Sequence, residues 1–187
     1  MAERKRLTAQ DWIEAGCAAL AEGGIAAVAV EPIAARLGTT KGSFYWHFTG
    51  RDALLAASLQ HWERTDTDEV IALIEHEPDA AARLRRLLAV ALGGSYGRPG
   101  AAVELALQPA AAHPLVAPVL ARVTRRRLDY LTALFTELGF DRARARERSL
   151  LGYTAYLGHA QLAHATPDLA PAGRAYVDAV VAALTAR

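Results

Sequence analysis

The densest collection of groups able to meet a polyanion lies between positions 40 and 48, where Thr40, Lys41, Gly42, Ser43, Phe44, Tyr45, Trp46, His47 and Phe48 follow one another without interruption. Hydroxyl, imidazole and ammonium groups suit phosphate oxygens and base edges. Tyr45 and Trp46 add aromatic area that a protein seldom leaves in water without a use. The two phenylalanines decide which way these groups point. Phe44 and Phe48 are four apart and share one side of a helix. With that side turned inward, a rotation of about 100° per residue aims Gly42 and Trp46 most nearly outward, with Ser43 and Tyr45 on the flanks. Gly42 removes a side chain where the backbone would approach a duplex, and the free N–H groups of the helix start favour an anion. Arg51 and an N-terminal arm, Arg4-Lys5-Arg6, can add phosphate contacts.

The elements around this run must hold it at a surface. Thr8 stands at an N-cap, with Asp11 three residues on in a capping-box place. From Ala9 to about Glu22, Ile13, Cys17, Leu20 and Ala21 recur at helical spacing, and Gly23-Gly24 ends that helix. Ile25, Val28 and Val30 form a short apolar bridge to a second helix over Glu31–Leu37, with Pro32 in its first turn, where a missing N–H does little harm. Gly38-Thr39-Thr40-Lys41 makes a turn, and a third, short helix carries Gly42 to Phe48 before Thr49-Gly50 stops it. Helix, short glycine turn, short helix is the helix-turn-helix layout. Phe44 and Phe48 are expected to pack on Ile33, Ala34 and Leu37. Spacing alone leaves a second reading open, an ordinary core edge beside an ordinary turn.

Beyond Arg51 the helical period continues, over Asp52–His76, Asp79–Ser95, Ala101–Ala112, Pro114–Leu138, Arg142–Ala165 and Ala172–Ala186, each boundary marked by a glycine or proline beside a possible cap. No alternating strand pattern or fixed-period repeat occurs. The fold class is all-α, about nine helices: a three-helix unit over residues 1–50 and a larger helical domain over 51–187. With 52% apolar residues the chain can bury a core. Its net charge of +1 announces no polyanion partner, so any nucleic-acid site must come from local placement of charge. The one cysteine, Cys17, excludes an intramolecular disulfide. The N-terminus lacks the pattern of a secretion signal. No apolar run approaches the ~18 residues of a membrane span. A cytoplasmic protein is expected.

Residues 8–55 resemble the N-terminal domain of the TetR (tetracycline-repressor) family. The match is carried by Ile33-Ala34-Ala35-Arg36-Leu37-Gly38-Thr39-Thr40-Lys41-Gly42-Ser43-Phe44-Tyr45-Trp46-His47-Phe48, followed by Arg51 and Leu54-Leu55. It implies that Thr40, Tyr45 and His47 bind phosphates and that Lys41, Ser43 and Trp46 face base edges or the nearby backbone. It puts Arg51 where the family usually has a phosphate-binding lysine. Two positions depart from the family pattern. Ala29 cannot cap the second helix, and Glu31 sets a carboxylate where phosphate would approach. The resemblance also implies a homodimer that binds a palindromic operator on double-stranded DNA as a repressor and is released by a small-molecule effector. An activator or a non-DNA interaction module is the alternative.

For the dimer, the last two long helices offer apolar stripes: Leu150, Leu151, Tyr153, Thr154, Leu157 and Gln161 on one, Tyr176, Val177, Val180, Val181 and Leu184 on the other. The same stripes could instead close the monomer core. For the effector, polar or aromatic residues inside apolar stretches are the candidates: Trp62, Tyr96, Glu104, Gln108, Tyr130, Phe135, Tyr156 and His159. Arg125-Arg126-Arg127 reads as a solvated face, with an anion site as its alternative. Gly93-Gly94-Ser95-Tyr96-Gly97 satisfies G-x-S-x-G, but a nucleophile elbow needs a strand before it and a hydrolase sheet around it. The match reads as a chance turn, and no enzyme is expected. No cofactor and no metal site are expected either, since His159 and His164 are five apart and share a helix face poorly.

Overall fold

The computed structural model describes residues 7–92 and 99–186. Its elements are α1 (Ala9–Ala27), α2 (Val30–Arg36), α3 (Lys41–Phe44), α4 (Arg51–Glu63), a π-helical segment (Arg64–Asp68), α5 (Glu69–Ile74), α6 (Ala80–Leu92), α7 (Pro99–Leu107), α8 (Ala117–Glu137), α9 (Arg142–Ala165) and α10 (Arg174–Thr185). Short 3-10 turns over Gln108–Ala110 and Pro167–Leu169 complete the set. Since α4, the π segment and α5 continue one another, the described residues form nine helical rods and no strand. They group into two compact units: residues 7–64 with 99–120, and residues 65–92 with 121–186.

In the first unit, α1 begins on the capping box foreseen in the sequence. Thr8 Oγ1 accepts from the Asp11 N–H (3.4 Å), and the Asp11 carboxylate accepts from the Thr8 N–H (2.7 Å). Gly23-Gly24 does break the helix, but a further helical turn follows where the sequence suggested only a bridge. The break sits at Gly24, whose φ of +63° and ψ of −159° is a conformation open to glycine and little else. A Cβ there would also lie 2.9 Å from the Ala106 carbonyl oxygen of α7. Gly24→Ala is therefore expected to lower stability by about 3 kcal/mol, strain and clash together, read as a fall in the urea midpoint. Gly50→Ala is the control: its backbone is extended, a Cβ would meet nothing within 4 Å, and the midpoint should hardly move.

The turn between α2 and α3 follows from Gly38. At φ +62° it lets the Thr39 N–H reach back to the Ala34 carbonyl (2.9 Å) and its own N–H to that of Ala35 (3.1 Å), the double bond that closes a helix end. Ala29 stands at the start of α2 with no side-chain cap, as its chemistry requires. The unit's core is Trp12, Leu20, Val28, Ile33, Phe44, Leu54, Leu55 and Leu59, all buried. Where α1 crosses α4, Gly16 passes so close to Ser58 that a Cβ would meet its hydroxyl, while the Cys17 thiol donates to the Ser58 carbonyl (3.2 Å).

The second unit is built on Leu84, Leu88 and Leu92 of α6, four apart on one face, packed with Leu131, Leu134 and Phe135 of α8, Ala145 and Tyr153 of α9, and Val177 and Leu184 of α10. Asp141 caps α9 by accepting from the Arg144 N–H (2.9 Å). Arg148 closes the far end of α10 by donating to the carbonyls of Ala183 (2.9 Å) and Ala186 (2.6 Å). A π-helical turn loosens the usual ladder. Here Arg127 of α8 compensates, donating from Nε to Thr67 Oγ1 (3.0 Å) and from Nη2 to the Asp66 carbonyl (3.2 Å), with its guanidinium 5.7 Å from the Tyr156 ring. The expectation that the Arg125-Arg126-Arg127 run forms a solvated face thus holds for Arg125 and Arg126, which are exposed, and not for Arg127.

Candidate nucleic-acid interface

Phe44 is the anchor of the outward surface. It is fully buried, its ring meeting Trp12 edge-on at 5.3 Å and stacking on Phe48 at 5.5 Å. Trp12 comes from α1, a support that residue spacing, which points only to Ile33, Ala34 and Leu37 of α2, does not reveal. The regular helix covers only Lys41–Phe44, shorter than the expected Gly42–Phe48. The chain tightens beyond it: the N–H groups of His47 (2.9 Å) and Phe48 (3.0 Å) both reach the Phe44 carbonyl. Phe44 and Phe48 keep their shared side through this tightening, so the outward face keeps its composition.

That face is open. Trp46 is 87% exposed and Tyr45 57%, although the Tyr45 ring leans edge-on against Phe44 at 5.2 Å. Thr40, Lys41 and Gly42 are exposed, and Ser43 and His47 are half-buried beside them. Thr40 stands at the cap position of α3 without making a capping bond through its side chain. A Cβ on Gly42 would find only Thr40 Oγ1, at 3.6 Å, so nothing inside the chain requires glycine there. Six residues expected to contact DNA through their side chains, with Gly42, are thus gathered on one surface.

Two charged residues behave differently from the expectation. Lys41 Nζ donates to Glu31 Oε1 at 2.9 Å, so the carboxylate that departs from the family pattern has a partner on the same surface. The hydrogen bond from Lys41, and then its charge, hold the Glu31 carboxyl below the usual carboxylate range, and the same contacts raise Lys41. Arg51 is engaged within the chain: Nε donates to the Val28 carbonyl (2.8 Å), Nη2 to that of Ile25, and Nη1 pairs with Asp52 (3.2 Å). It ties the start of α4 to carbonyl groups at the end of α1, an anchoring position that the phosphate role implied by the sequence did not include.

The effector candidates lie in varied surroundings. In the first unit, Trp62 is buried and donates from Nε1 to the Gly100 carbonyl (3.0 Å), Glu104 is buried, and Gln108 is exposed. In the second, Phe135 belongs to the core, and Tyr130 and Tyr156 are half-buried against it. Burial pushes the Tyr130 hydroxyl well above its usual range. His159 is buried against Tyr176, with ring centres 5.4 Å apart. Burial lowers its pKa, and Nδ1 has no hydrogen-bond partner. Tyr96, the G-x-S-x-G run and the basic arm at residues 4–6 lie outside the described residues. Among the described residues no three of His, Cys, Asp or Glu gather as a metal site would need, and no helix is long and apolar enough to cross a membrane.

Residues 13–58 match the family of bacterial regulatory proteins of the tetR type. No curated protein matches the chain. Among solved structures it is similar to a transcriptional regulator from Rhodococcus sp. Rha1, with 22% identity, 96% of this chain and 94% of that chain covered, and a TM-score of 0.76. It is similar to a TetR transcriptional regulator from Legionella pneumophila, with 14% identity, 95% of each chain covered and a TM-score of 0.75. It is also similar to the transcriptional regulator FadR from Bacillus subtilis, solved in complex with stearoyl-CoA, with 16% identity, 96% and 98% covered, and a TM-score of 0.71. Residues 13–58 thus carry the N-terminal sequence pattern of the tetR family of bacterial regulatory proteins, and the chain as a whole has the fold of these solved regulators.

Proposed function

We propose that the chain is a repressor that binds a palindromic operator as a homodimer, each protomer entering the major groove with the surface of Lys41, Gly42, Ser43, Tyr45 and Trp46. The observation that carries this is the pairing of a fully buried Phe44 with a largely exposed Trp46 two residues on. An indole in water has no stabilising purpose in the monomer. Thr40, Tyr45 and His47 would contact phosphates around it. Arg51 would act mainly by holding α4 against the end of α1.

The dimer reading is supported by how the stripes of α9 and α10 divide. Tyr153, Val177 and Leu184 close the core, but Leu150, Leu151 and Leu162 are 45–56% exposed, and Thr154, Gly158 and Gln161 are exposed between them. Such a face on two protomers would make a four-helix interface. It would hold the two reading surfaces about 34–36 Å apart, one turn of the duplex.

The division of labour we propose is residues 1–50 for reading DNA and residues 51–187 for sensing and pairing. A small-molecule effector would bind in the larger part; the candidate residues form two alternative groups, Trp62, Glu104 and Gln108 in the first unit and Tyr130, Tyr156 and His159 in the second, with Tyr96 outside the described residues. The effector lowers DNA affinity only if it binds better to a conformation in which α4 has moved. The stearoyl-CoA held by FadR sets a precedent for a ligand on this fold and does not identify one here.

The test is fluorescence anisotropy on duplexes enriched from a random pool, repeated across a salt series. A repressor of this kind loses affinity steeply with salt as phosphate contacts release counterions. Lys41→Ala is expected to weaken binding several-fold and to make the salt slope shallower, by up to about one for each of the two protomers. Salt-independent binding by the unaltered protein would contradict the reading.

A further inference from the structure

A carboxylate on a surface that meets phosphates opposes binding. Glu31 sits there all the same, in the first turn of α2, its side chain 73% exposed and 2.9 Å from Lys41 at the first position of α3. Exposed ion pairs contribute little to stability, and the α2–turn–α3 packing is already fixed by Gly38, Ile33 and Phe44. Stability therefore gives no reason for the pair.

Base-edge chemistry does. We propose that Glu31 and Lys41 act as one unit that reads a C·G base pair in the major groove. The carboxylate accepts from cytosine N4–H, and the ammonium donates to guanine O6 and N7. This rests on the DNA-reading function proposed above. The match is one of order and spacing. In a C·G pair the cytosine N4 and guanine O6 are hydrogen-bonded to each other, hence about 2.9 Å apart. The Glu31 oxygen and Lys41 nitrogen show the same separation, with complementary polarity. The two side chains can thus meet the pair without parting.

The other base pairs fit less well. In an A·T pair the carboxylate would also face adenine N7, a second acceptor, and the ammonium would find the thymine methyl where guanine offers N7. Reversing the pair to G·C sets acceptor against acceptor. A carboxylate also penalises non-specific contact, so the unit raises discrimination while lowering affinity for random sequence.

The experiment compares the full-length protein with Glu31→Ala and Glu31→Gln by selection from a random duplex pool. Anisotropy then follows on the selected site and its single-base-pair variants. The unaltered protein is expected to enrich C·G at one position in each half-site and to lose about fivefold or more when that pair is changed, the ordinary cost of one mismatch. Glu31→Ala is expected to bind random duplex tighter, by about threefold, with the preference at that position gone. Glu31→Gln, whose amide matches adenine N6 and N7, is expected to move it toward A·T.

If both variants keep every preference of the unaltered protein, this inference is overturned while the DNA-reading function stands. If the unaltered protein enriches no sequence and binds without salt dependence, the DNA-reading function fails first and this inference with it.

Discussion

Trp46→Ala is expected to lower operator affinity about 30-fold or more, the loss of a buried aromatic anchor at an interface, while stability changes by less than about 0.5 kcal/mol. Both halves of this expectation come from one geometry. Trp46 is 87% exposed, so its removal takes little from the monomer's core. It is also the largest apolar surface on the face that carries Lys41, Ser43 and Tyr45, so its removal takes most from any duplex seated there. Tyr45→Ala should act in the same direction, with some added loss of stability because its ring rests against Phe44. Circular dichroism and sedimentation should show the same helix content and the same association state as the unaltered protein. Operator binding that survives both substitutions would remove this surface from the site.

Phe44→Ala gives the opposite pattern. The ring is fully buried between Trp12 and Phe48, so truncation loses its transfer energy and leaves a cavity under the turn. Such substitutions cost about 3–5 kcal/mol. That is a large fraction of a typical total stability, and the thermal midpoint should fall with it. Binding would fall as well, but in step with unfolding. The two substitutions lie two residues apart. Stability lost at 44 with binding lost at 46 is the signature of a helix anchored on one side and working on the other.

Much of this arrangement was legible from residue spacing. The capping box at Thr8 and Asp11, the glycine close at Gly38 and the shared side of Phe44 and Phe48 are local features, set by backbone conformation and helical period, and they appear as read. The expectation for Trp46 and Gly42 followed from the phenylalanines by rotation alone. What escaped the reading depends on contacts across long stretches of chain. Trp12 lies 32 positions before Phe44, and nothing in its own helix marks it as that ring's support. Arg51 looked like a phosphate ligand because its charge was visible, whereas the carbonyls of Ile25 and Val28 that hold it were not. Glu31 read as a repulsive charge because its neighbour Lys41 is ten positions away, across a turn that brings the two side chains together.

The effector residues were the least legible. A polar or aromatic residue in an apolar stretch has the same appearance in a sequence whether it lines a cavity or fills a core. Phe135 is a core residue, and Trp62 is held by a backbone carbonyl. The dimer stripes were ambiguous for a related reason: a helix that is apolar around much of its circumference has both an inner and an outer face to cover. Only the packed structure separates Tyr153 and Leu184, which turn inward, from Leu150 and Leu151, which do not.

The chain's three tryptophans make the central claim directly measurable. Trp12 and Trp62 are 0% and 1% exposed, so the emission that acrylamide can quench belongs to Trp46. At a duplex concentration that saturates anisotropy, the quenchable fraction should disappear, and it should return when added salt releases the DNA. Quenching that stays the same with the duplex fully bound would place the contact elsewhere on the protein and contradict the assignment of this surface.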